Sequence, residues 1–297
     1  MSVETNPFKA GFISILGKPN VGKSTLMNAL IGERISIMTS KAQTTRHRIF
    51  GILSGPDFQM VYSDTPGLID PQYKLQESMM KFVKASLDDA DLIIYMVELG
   101  EKFDDNEIVK HLFANSTPKL LIINKIDTAK GSQIEDKITY WQSIFPEATI
   151  LTISALNKIN IDGLFGAIKS ALPVHPPYFP ADQITDKSER FVTSEIIREK
   201  IFMNYKKEIP YSCQVEIEEF KEADDIIRIR ALIYVERDSQ KGIIIGKKGA
   251  SLKKVGIESR EELEKFFEKK IHLETYVKIE KDWRKKDKSL RKFGYQN

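Results

Sequence analysis

The sequence contains a single cysteine, Cys213, in 297 residues. An intrachain disulfide is therefore excluded, which fits a reducing compartment. No apolar run approaches the ~20 residues that a membrane-spanning helix needs. Residues 1–9 also lack the basic stretch and apolar core of a secretory signal. We therefore expect a cytoplasmic protein, and peripheral contact with a membrane surface stays open.

Charge is spread unevenly along a chain whose formal net charge is only +3. Residues 1–180 carry 18 basic and 19 acidic side chains, whereas residues 181–297 carry 27 and 23. Either basic cluster in the second part would by itself be typical of a solvated face, but two in one small region favour a polyanionic partner. The clusters are Lys241, Lys247, Lys248, Lys253 and Lys254, and then Lys281, Arg284, Lys285, Lys286, Lys288, Arg291 and Lys292.

Short apolar runs alternate with helical patterns through the first half of the chain. This alternation predicts an α/β fold with a doubly wound, mostly parallel sheet and helices on both faces. A turn-rich tetrapeptide at residues 54–57 joins two of the runs as a hairpin, so one strand is expected to be antiparallel. The predicted strands are Phe12–Leu16, Ile49–Leu53, Phe58–Tyr62, Leu92–Val97, Leu120–Ile123 and Thr149–Ile153.

Four prolines within residues 173–180 interrupt this pattern and favour an extended linker. Beyond them the order changes to helix, two strands, helix and strand, which predicts a smaller α+β domain. We therefore place an α/β domain at residues 1–175, a linker at 176–188 and the α+β domain at 189–297. The predicted elements of the latter are Ser188–Tyr205, Gln214–Phe220, Ile226–Val235, Ser251–Phe267 and Ile271–Ile279.

Residues 17–24 fit the phosphate-binding pattern G-x-x-x-x-G-K-[ST]. The motif follows a predicted strand and opens a predicted helix, which is the context it requires. Its glycines let backbone N–H groups surround phosphates, and the helix N-terminus adds a positive dipole end. We expect Lys23 to reach the β- and γ-phosphates and Ser24 to ligate Mg²⁺. The motif alone predicts a nucleoside triphosphate without choosing its base.

Two further motifs follow predicted strands. Asp64 lies about forty residues after Lys23, where a carboxylate can hold Mg²⁺ through water, and the Gly67 N–H can contact a γ-phosphate. Asn124-Lys125-Ile126-Asp127 then selects the base, because the two oxygens of Asp127 match the adjacent N1–H and 2-amino donors of guanine. Adenine would leave that carboxylate unpaired, so ATP is disfavoured.

In this order and spacing the motifs resemble the translation-factor-related class of P-loop GTPases. The resemblance implies GTP or GDP and Mg²⁺ as ligands, and catalysis by Lys23, Thr45 and Gly67. Thr45 is the expected sensor of the γ-phosphate. For either threonine the alternative is an ordinary exposed loop residue, and this alternative is favoured for Thr44. The residues expected at the metal are Ser24, Thr45 and Asp64. Those expected to contact the nucleotide are Gly17, Lys18, Pro19, Asn20, Val21, Gly22, Lys23, Ser24, Thr25, Asp64, Thr65, Pro66, Gly67, Asn124, Lys125, Asp127, Ser154, Ala155 and Leu156.

Two positions in and beside these motifs affect mechanism. The residue after Gly67 is Leu68 and not glutamine, so no side-chain amide there can orient the attacking water. Catalysis should then depend on backbone groups, Mg²⁺ and a second cation. Asn20 occupies the place of a potassium-ligating asparagine in related potassium-activated GTPases, and the alternative is that it only stabilises its loop.

The α+β domain carries a second glycine loop, Gly246-Lys247-Lys248-Gly249, which leads into a predicted helix. It matches the G-x-x-G loop of a KH domain, which clamps the backbone of about four single-stranded nucleotides. The order of elements resembles the bacterial, type II form of that fold. The residues expected to contact RNA are Gly246, Lys247, Lys248, Gly249 and Lys253, together with Trp283 and Arg284 of the basic tail.

A GTPase domain followed by a KH domain, with Lys-Ala-Gln-Thr-Thr-Arg-His-Arg at residues 41–48, closely resembles the Era family of GTPases over nearly the whole chain. The resemblance implies a monomer that binds the 3′ end of small-subunit rRNA and acts in maturation of the small ribosomal subunit. It also implies a cytoplasmic location with partial contact with the inner face of the cell membrane. The open alternatives are a KH-like module that binds protein and a GTPase with a different RNA target, as in tRNA modification.

Overall fold

The structure, a computed structural model, describes residues 7–103, 107–114 and 116–296. The chain divides into two compact units, and the change from one to the other at the domain junction falls between Asp186 and Lys187. The first unit comprises Met1–Ser36, Thr45–Ile69 and Met79–Asp186, and the second comprises Ile37–Thr44, Asp70–Ser78 and Lys187–Asn297. The predicted boundaries at residues 175 and 188 stay predictions.

A six-stranded sheet is the centre of the first unit. Its strands are β1 (Lys9–Gly17), β2 (Ile49–Ser54), β3 (Phe58–Asp64), β4 (Leu92–Glu98), β5 (Lys119–Asn124) and β6 (Thr149–Thr152). They lie in the order β2-β3-β1-β4-β5-β6, and every neighbouring pair is parallel except β2 and β3. The mostly parallel sheet and its antiparallel edge strand, both predicted from the sequence, are confirmed. The apolar run of β4 is buried throughout, as expected for a central parallel strand.

Five helices accompany this sheet: α1 (Lys23–Ile31), α2 (Lys74–Asp88), α3 (Glu107–Ala114), α4 (Gln133–Ile144) and α5 (Ile161–Ala171). The first turn of α2 belongs to the second unit and the remainder to the first. In that remainder the apolar spacing buries Met79, Val83 and Leu87, while Phe82 is partly exposed. The helical periodicity noted in the sequence therefore corresponds to a core-facing stripe.

Strand register brings the predicted motifs to one edge of the sheet. Ile15 of β1 lies beside Asp64, the last residue of β3, and Gly17 lies beside Met96 of β4. Glu98, the last residue of β4, lies beside Asn124, the last residue of β5. Because parallel strands end at a common edge, the loops that follow β1, β3, β5 and β6 meet there.

The proline-rich segment is extended but not free. Near its start it pairs with β1 through a bridge between Val174 and Lys9, and beyond its end the chain pairs with β2 through a bridge between Thr185 and Gly51. Between them the Gln59 side chain accepts hydrogen bonds from the N–H groups of residues 178 and 179 at 2.7 and 2.9 Å. The linker up to Asp186 is therefore part of the first unit, and its residues 184–186 lie along the outer edge of β2.

The second unit contains a three-stranded sheet of order β7-β8-β9. Its strands are β7 (Gln214–Glu222), β8 (Ile226–Val235) and β9 (Lys270–Ile279), with β7 antiparallel and β9 parallel to β8. Its helices are α6 (Glu189–Asn204), α7 (Ile209–Ser212), α8 (Asp238–Ile245), α9 (Ala250–Phe267) and α10 (Asp287–Lys292). Ser188 caps α6 by accepting a hydrogen bond from the Phe191 N–H.

Helix α8 was not predicted. The apolar residues 243–245 form its last turn, and within it Ile244 is fully buried whereas Ile243 is half exposed. Ile244 packs in a core with Ile197, Ile233 and Val255. This second core joins α6 and α9 to the sheet, so the glycine loop between α8 and α9 rests on a rigid base.

Segment 37–44 belongs to the second unit through contacts with α6. The Met38 N–H donates to the Glu199 carboxylate at 2.9 Å. The Lys41 ammonium donates to the carbonyl oxygens of Phe202 and Tyr205, where α6 ends and its dipole is negative.

Across all the residues that the structure covers, none of the helices is long and apolar enough to span a membrane.

Candidate functional site

The phosphate-binding loop runs from Gly17 at the end of β1 to Lys23 at the start of α1. Gly17 and Gly22 have φ angles of 148° and 109°, in the region that favours glycine. A Cβ on Gly17 would lie 2.4 Å from the Met96 carbonyl oxygen, and one on Gly22 would lie 2.3 Å from the Asn124 amide nitrogen. Both glycines are therefore required by close contacts as well as by backbone conformation.

Lys23 is buried within this loop, with 6% of its surface exposed. Its ammonium donates to the carbonyl oxygens of Gly17 and Lys18 at 3.1 and 3.0 Å. Burial lowers the pKa of Lys23 to about 8, while the carboxylates of Asp64 and Glu101 oppose that shift. An ammonium held in so dry a position gains strongly from a phosphate placed beside it.

The three residues predicted to bind Mg²⁺ lie together. The Ser24 hydroxyl donates to Asp64 Oδ2 at 2.7 Å and lies 3.0 Å from the Thr45 hydroxyl, which is itself 3.3 Å from Asp64 Oδ2. Asp64 is fully buried, and burial raises the pKa of its carboxyl against the opposing hydrogen bond from Ser24 and the charge of Lys23. Two hydroxyls and one carboxylate are hard oxygen ligands, so the set fits Mg²⁺.

The two neighbouring threonines face different partners. The Thr44 hydroxyl donates to the Lys41 carbonyl oxygen at 2.6 Å and also contacts Thr39, so it serves the loop. Thr45 faces Asp64 and Ser24. Both threonines are buried, so neither is an exposed loop residue, and the predicted role of Thr45 at the metal stays a prediction.

The segment 64–68 packs directly on the phosphate-binding loop. The Thr65 hydroxyl donates to the Ile15 carbonyl oxygen at 2.9 Å, and the Leu68 N–H donates to the Gly17 carbonyl oxygen at 3.1 Å. A Cβ on Gly67 would lie 2.6 Å from the Pro19 backbone nitrogen. Only glycine fits there, which brings the Gly67 backbone to the wall of the phosphate loop. Leu68 is 7% exposed and offers no polar group.

Asn124 ties three loops together. Its amide nitrogen donates to the Val21 carbonyl oxygen at 2.7 Å, and its amide oxygen accepts from the Ala155 N–H at 3.0 Å. This amide thereby holds three loops at fixed distances from one another. They are the phosphate loop, the base loop (residues 124–127) and the loop after β6. Ser154 and Ala155 are buried, whereas Leu156 is 76% exposed.

Asp127 is the exposed member of the base loop and lies in a short turn just after β5. Lys125 has a left-handed backbone conformation with φ of 63°, and its ammonium lies 2.5 Å from Glu98 Oε2. Asn20 is exposed with φ of 65°, a conformation that asparagine tolerates well. Its predicted role as a potassium ligand stays a prediction.

Two carboxylates at this edge were missed by the sequence reasoning. Glu98 contacts Lys125, and Glu101 lies 3.9 Å from the Lys18 ammonium. Glu98 could have been found, because it ends an apolar strand in the same way as Asp64 and Asn124. Glu101 carries no such signal, since only the turn after β4 brings it to the phosphate loop.

The second glycine loop joins α8 to α9 and is exposed. Gly246 and Gly249 have φ angles of 71° and 79°, and a Cβ on Gly246 would lie 2.2 Å from the Ser251 hydroxyl oxygen. Lys247, Lys248 and Lys253 are all exposed. The loop therefore presents lysine side chains at the N-terminus of α9, where the helix dipole also attracts anions.

The expectation that Trp283 contacts RNA was wrong. Its indole is fully buried, its Nε1–H donates to the Ser212 carbonyl oxygen at 2.8 Å, and it packs against Phe293 and Tyr295. A base has no free indole face on which to stack. Arg284 is partly buried, forms an ion pair with Glu236 and lies over an aromatic ring of the same unit. Its predicted RNA contact stays a prediction.

Comparison with known proteins extends these findings. A family model described as 50S ribosome-binding GTPase matches residues 12–125, and one described as KH domain matches residues 208–284. GTPase Era of Geobacter metallireducens is 43% identical over 294 residues, which cover 98% of this chain and 99% of that relative.

Two solved structures of Era are similar over the same span. Era in complex with MgGDPNP and nucleotides 1506–1542 of 16S ribosomal RNA has a TM-score of 0.93 at 38% identity, covering 98% of this chain and all of that one. A point variant of Aquifex aeolicus Era bound to GDP.AlF4⁻ has a TM-score of 0.92 at 38% identity, again covering 98% of this chain and all of that one. Given these matches across both domains, the chain belongs to the Era family of GTPases.

Proposed function

We propose that this GTPase binds the 3′ end of small-subunit rRNA and acts in the maturation of the small ribosomal subunit. The observation that carries the proposal is the exposed loop Gly246–Gly249 at the start of α9, with its lysines in solvent. Support also comes from the relative with a TM-score of 0.93 that was solved with 16S rRNA nucleotides.

The loop chemistry suits a single-stranded backbone. Lys247 and Lys248 are exposed and can follow phosphates that remain partly hydrated, and the two glycines permit close approach of the strand. Such contacts carry little sequence information, so neighbouring surfaces must read the bases. Half-exposed Ile243 lies in the last turn of α8, just before this loop, and is an apolar surface suited to one base.

The nucleotide site binds GTP and hydrolyses it. Backbone N–H groups of the loop from Gly17 and the Lys23 ammonium grip the β- and γ-phosphates, and Asp127 pairs with guanine. Ser24, Thr45 and Asp64 would hold Mg²⁺, which neutralises charge developing on the transferred phosphoryl group. The Gly67 N–H would contact the γ-phosphate. Because Leu68 cannot orient water, intrinsic hydrolysis should be slow.

The test is RNA affinity of the full chain, measured by fluorescence anisotropy with a single-stranded RNA from the 3′ end of small-subunit rRNA. Replacing Lys247 and Lys248 by alanine should weaken binding about tenfold or more, because two phosphate contacts are lost. Adding Gly246→Asp should weaken it further. Lys265→Ala is the matched control, since Lys265 is an exposed lysine in the last turn of α9.

Two results would contradict the proposed binding of the rRNA 3′ end. Unchanged RNA affinity in the double alanine variant would contradict the RNA-binding assignment and favour a protein-binding module. Equal affinity for a tRNA and for the rRNA fragment would favour a different RNA target. GTPase activity with and without the rRNA fragment then tests whether that RNA stimulates turnover, as the proposal expects.

The proposal also covers the cellular location, the oligomeric state and an additional ion. We infer a cytoplasmic monomer with partial, peripheral contact with the inner face of the cell membrane, and potassium as an additional ion at the nucleotide site. The lysine-rich tail, residues 281–292, supports contact with an anionic surface, because seven of its residues are basic. Flotation with anionic lipid vesicles measures that contact, and binding equal to that with neutral vesicles would contradict it.

A further inference from the structure

The base loop contains Lys125 and Asp127, only two residues apart in sequence. Their closeness means that the lysine could compete with guanine for the aspartate carboxylate. Asp127 can read guanine only if its oxygens remain open to the base. Lys125 carries an ammonium on a flexible stem long enough to reach a carboxylate in the same short loop. If the two paired, the carboxylate would be neutralised and its oxygens occupied.

In the structure the Lys125 ammonium is directed elsewhere. It lies 2.5 Å from Glu98 Oε2, both as an ion pair and as a hydrogen bond. Asp127 makes no ion pair with any residue within the described ranges. Sheet register enforces this arrangement, because Glu98 ends β4 directly beside Asn124, the residue before Lys125. The left-handed conformation of Lys125 sets the direction in which its side chain leaves the loop.

The turn that carries Glu98 is itself well anchored. The Glu101 N–H donates to the Glu98 carbonyl oxygen at 3.0 Å, and the Lys137 ammonium of α4 donates to the Glu101 carbonyl oxygen. Two residues further on, the Phe103 N–H donates to the Tyr140 hydroxyl at 2.9 Å. Glu98 is thus a carboxylate on a fixed support and can hold a flexible lysine.

We propose that Glu98 is a positioning residue for guanine recognition, which holds the Lys125 ammonium away from Asp127 and leaves the Asp127 carboxylate open to the base. In this role Glu98 acts through Lys125. This inference concerns the nucleotide site alone and is independent of the RNA target proposed above.

The measurement is the ratio of affinities for GDP and IDP, the second of which lacks the 2-amino group that Asp127 recognises. In Glu98→Gln the freed lysine competes for Asp127, so GDP affinity should fall about two- to fivefold, as expected for a half-exposed ion pair. IDP affinity should fall less, so the GDP/IDP ratio decreases. The effect should shrink at high salt, because exposed charges are screened.

A double-mutant cycle tests whether Glu98 acts through Lys125. In a Lys125→Met background the competing ammonium is absent, so Glu98→Gln should leave the GDP/IDP ratio unchanged. Glu98→Asp should keep most of the wild-type ratio. Glu147→Gln serves as a matched control, because Glu147 is an exposed glutamate of the same unit. A purely structural role of Glu98 would lower the affinities for both nucleotides equally in both backgrounds.

Three outcomes overturn the proposal: an unchanged ratio in Glu98→Gln, an equal decrease with and without Lys125, or an effect as large in Glu147→Gln. The base assignment is checked separately with Asp127→Asn. If that variant retains guanine preference, the reading of the base by Asp127 fails. If it loses the preference while the cycle shows no coupling, only the role of Glu98 fails.

Discussion

The chain contains two glycine loops that each open a helix, and they treat lysine in opposite ways. In the first, Gly22 is the N-cap of α1 and the adjacent Lys23 is 6% exposed and bonded to two carbonyl oxygens. In the second, Gly249 is the N-cap of α9, and Lys247 and Lys248 extend into solvent. The shared design is a positive φ at glycine and backbone N–H groups at a helix N-terminus.

The difference lies in how much of the ligand each loop can enclose. The first loop is surrounded by β4, by Asn124 and by Gly67, so its lysine acts in a dry and fixed position. Charge–charge contacts there are strong and weakly screened. The second loop has solvent on its open side and can only attract a strand backbone. A pocket that performs chemistry and a surface that holds a polymer thus differ mainly in burial.

The largest expected effect concerns base choice, which the nucleotide site alone provides. Asp127→Asn should reverse the preference from GTP towards xanthosine triphosphate by about 10⁴-fold, because an amide cannot accept both guanine donors. Competition binding with the two nucleotides measures it. Asp182→Asn, an exposed aspartate of the same unit, should change nothing. Retained preference for GTP in Asp127→Asn would contradict the base assignment.

The next effect tests burial of the first lysine. Lys23 has a folded pKa of about 8, below the usual 10.5, so it loses its proton as the pH rises through 8. A bound phosphate favours the charged form, so GDP affinity should fall about tenfold between pH 8 and pH 9.5. Lys23→Met should bind weakly at all pH values with no such slope. Affinity that is constant across this range would contradict a lowered pKa.

Salt separates the two loops with a smaller effect. RNA binding should weaken steeply as salt is raised, and Lys247→Ala should reduce the slope of log affinity against log salt by about 0.7. GDP affinity should vary much less over the same range, because the buried contacts are screened less. Equal salt slopes for RNA and GDP would remove the contrast between an open and an enclosed loop.

The smallest expected effect is that of the monovalent cation. If Asn20 ligates potassium, hydrolysis of GTP should be somewhat faster in potassium than in sodium at equal ionic strength, and Asn20→Ala should abolish the difference. RNA affinity should not distinguish the two salts, since the second loop has no comparable ligand. Equal turnover in both salts would leave Asn20 with its structural role alone.

Sequence patterns predicted the enclosed site better than the open one. Gly17 to Ser24, Asp64 and Asn124 follow apolar strands in sequence, and parallel strands must end at one edge, so their meeting could be predicted. Burial of Trp283 could not be predicted, because it depends on Ser212, which is 71 residues away. Helix α8 was missed because its sequence carries glycine and an uninterrupted apolar run where a helical period would alternate.

Contacts between side chains remote in sequence were also beyond prediction. Glu101 reaches the phosphate loop only through the turn after β4, and nothing in the local pattern marks it. The prolines at residues 173–180 indicated an extended chain but not its attachment, since proline rules only exclude a donor. That attachment depends on Gln59, whose single amide serves two N–H groups of the linker.

The linker along β2 also covers unpaired backbone groups, which open sheets commonly expose at their edges. β2 is one of the two edge strands of the sheet, and an edge strand ordinarily offers unpaired N–H and C=O groups to any other extended chain. Here the Ile52 N–H donates to the Ile184 carbonyl oxygen at 2.9 Å, and the Phe50 N–H donates to the Asp186 carboxylate at 2.9 Å. The connection between the domains thus acts as a built-in guard against intermolecular strand pairing at this edge of the sheet.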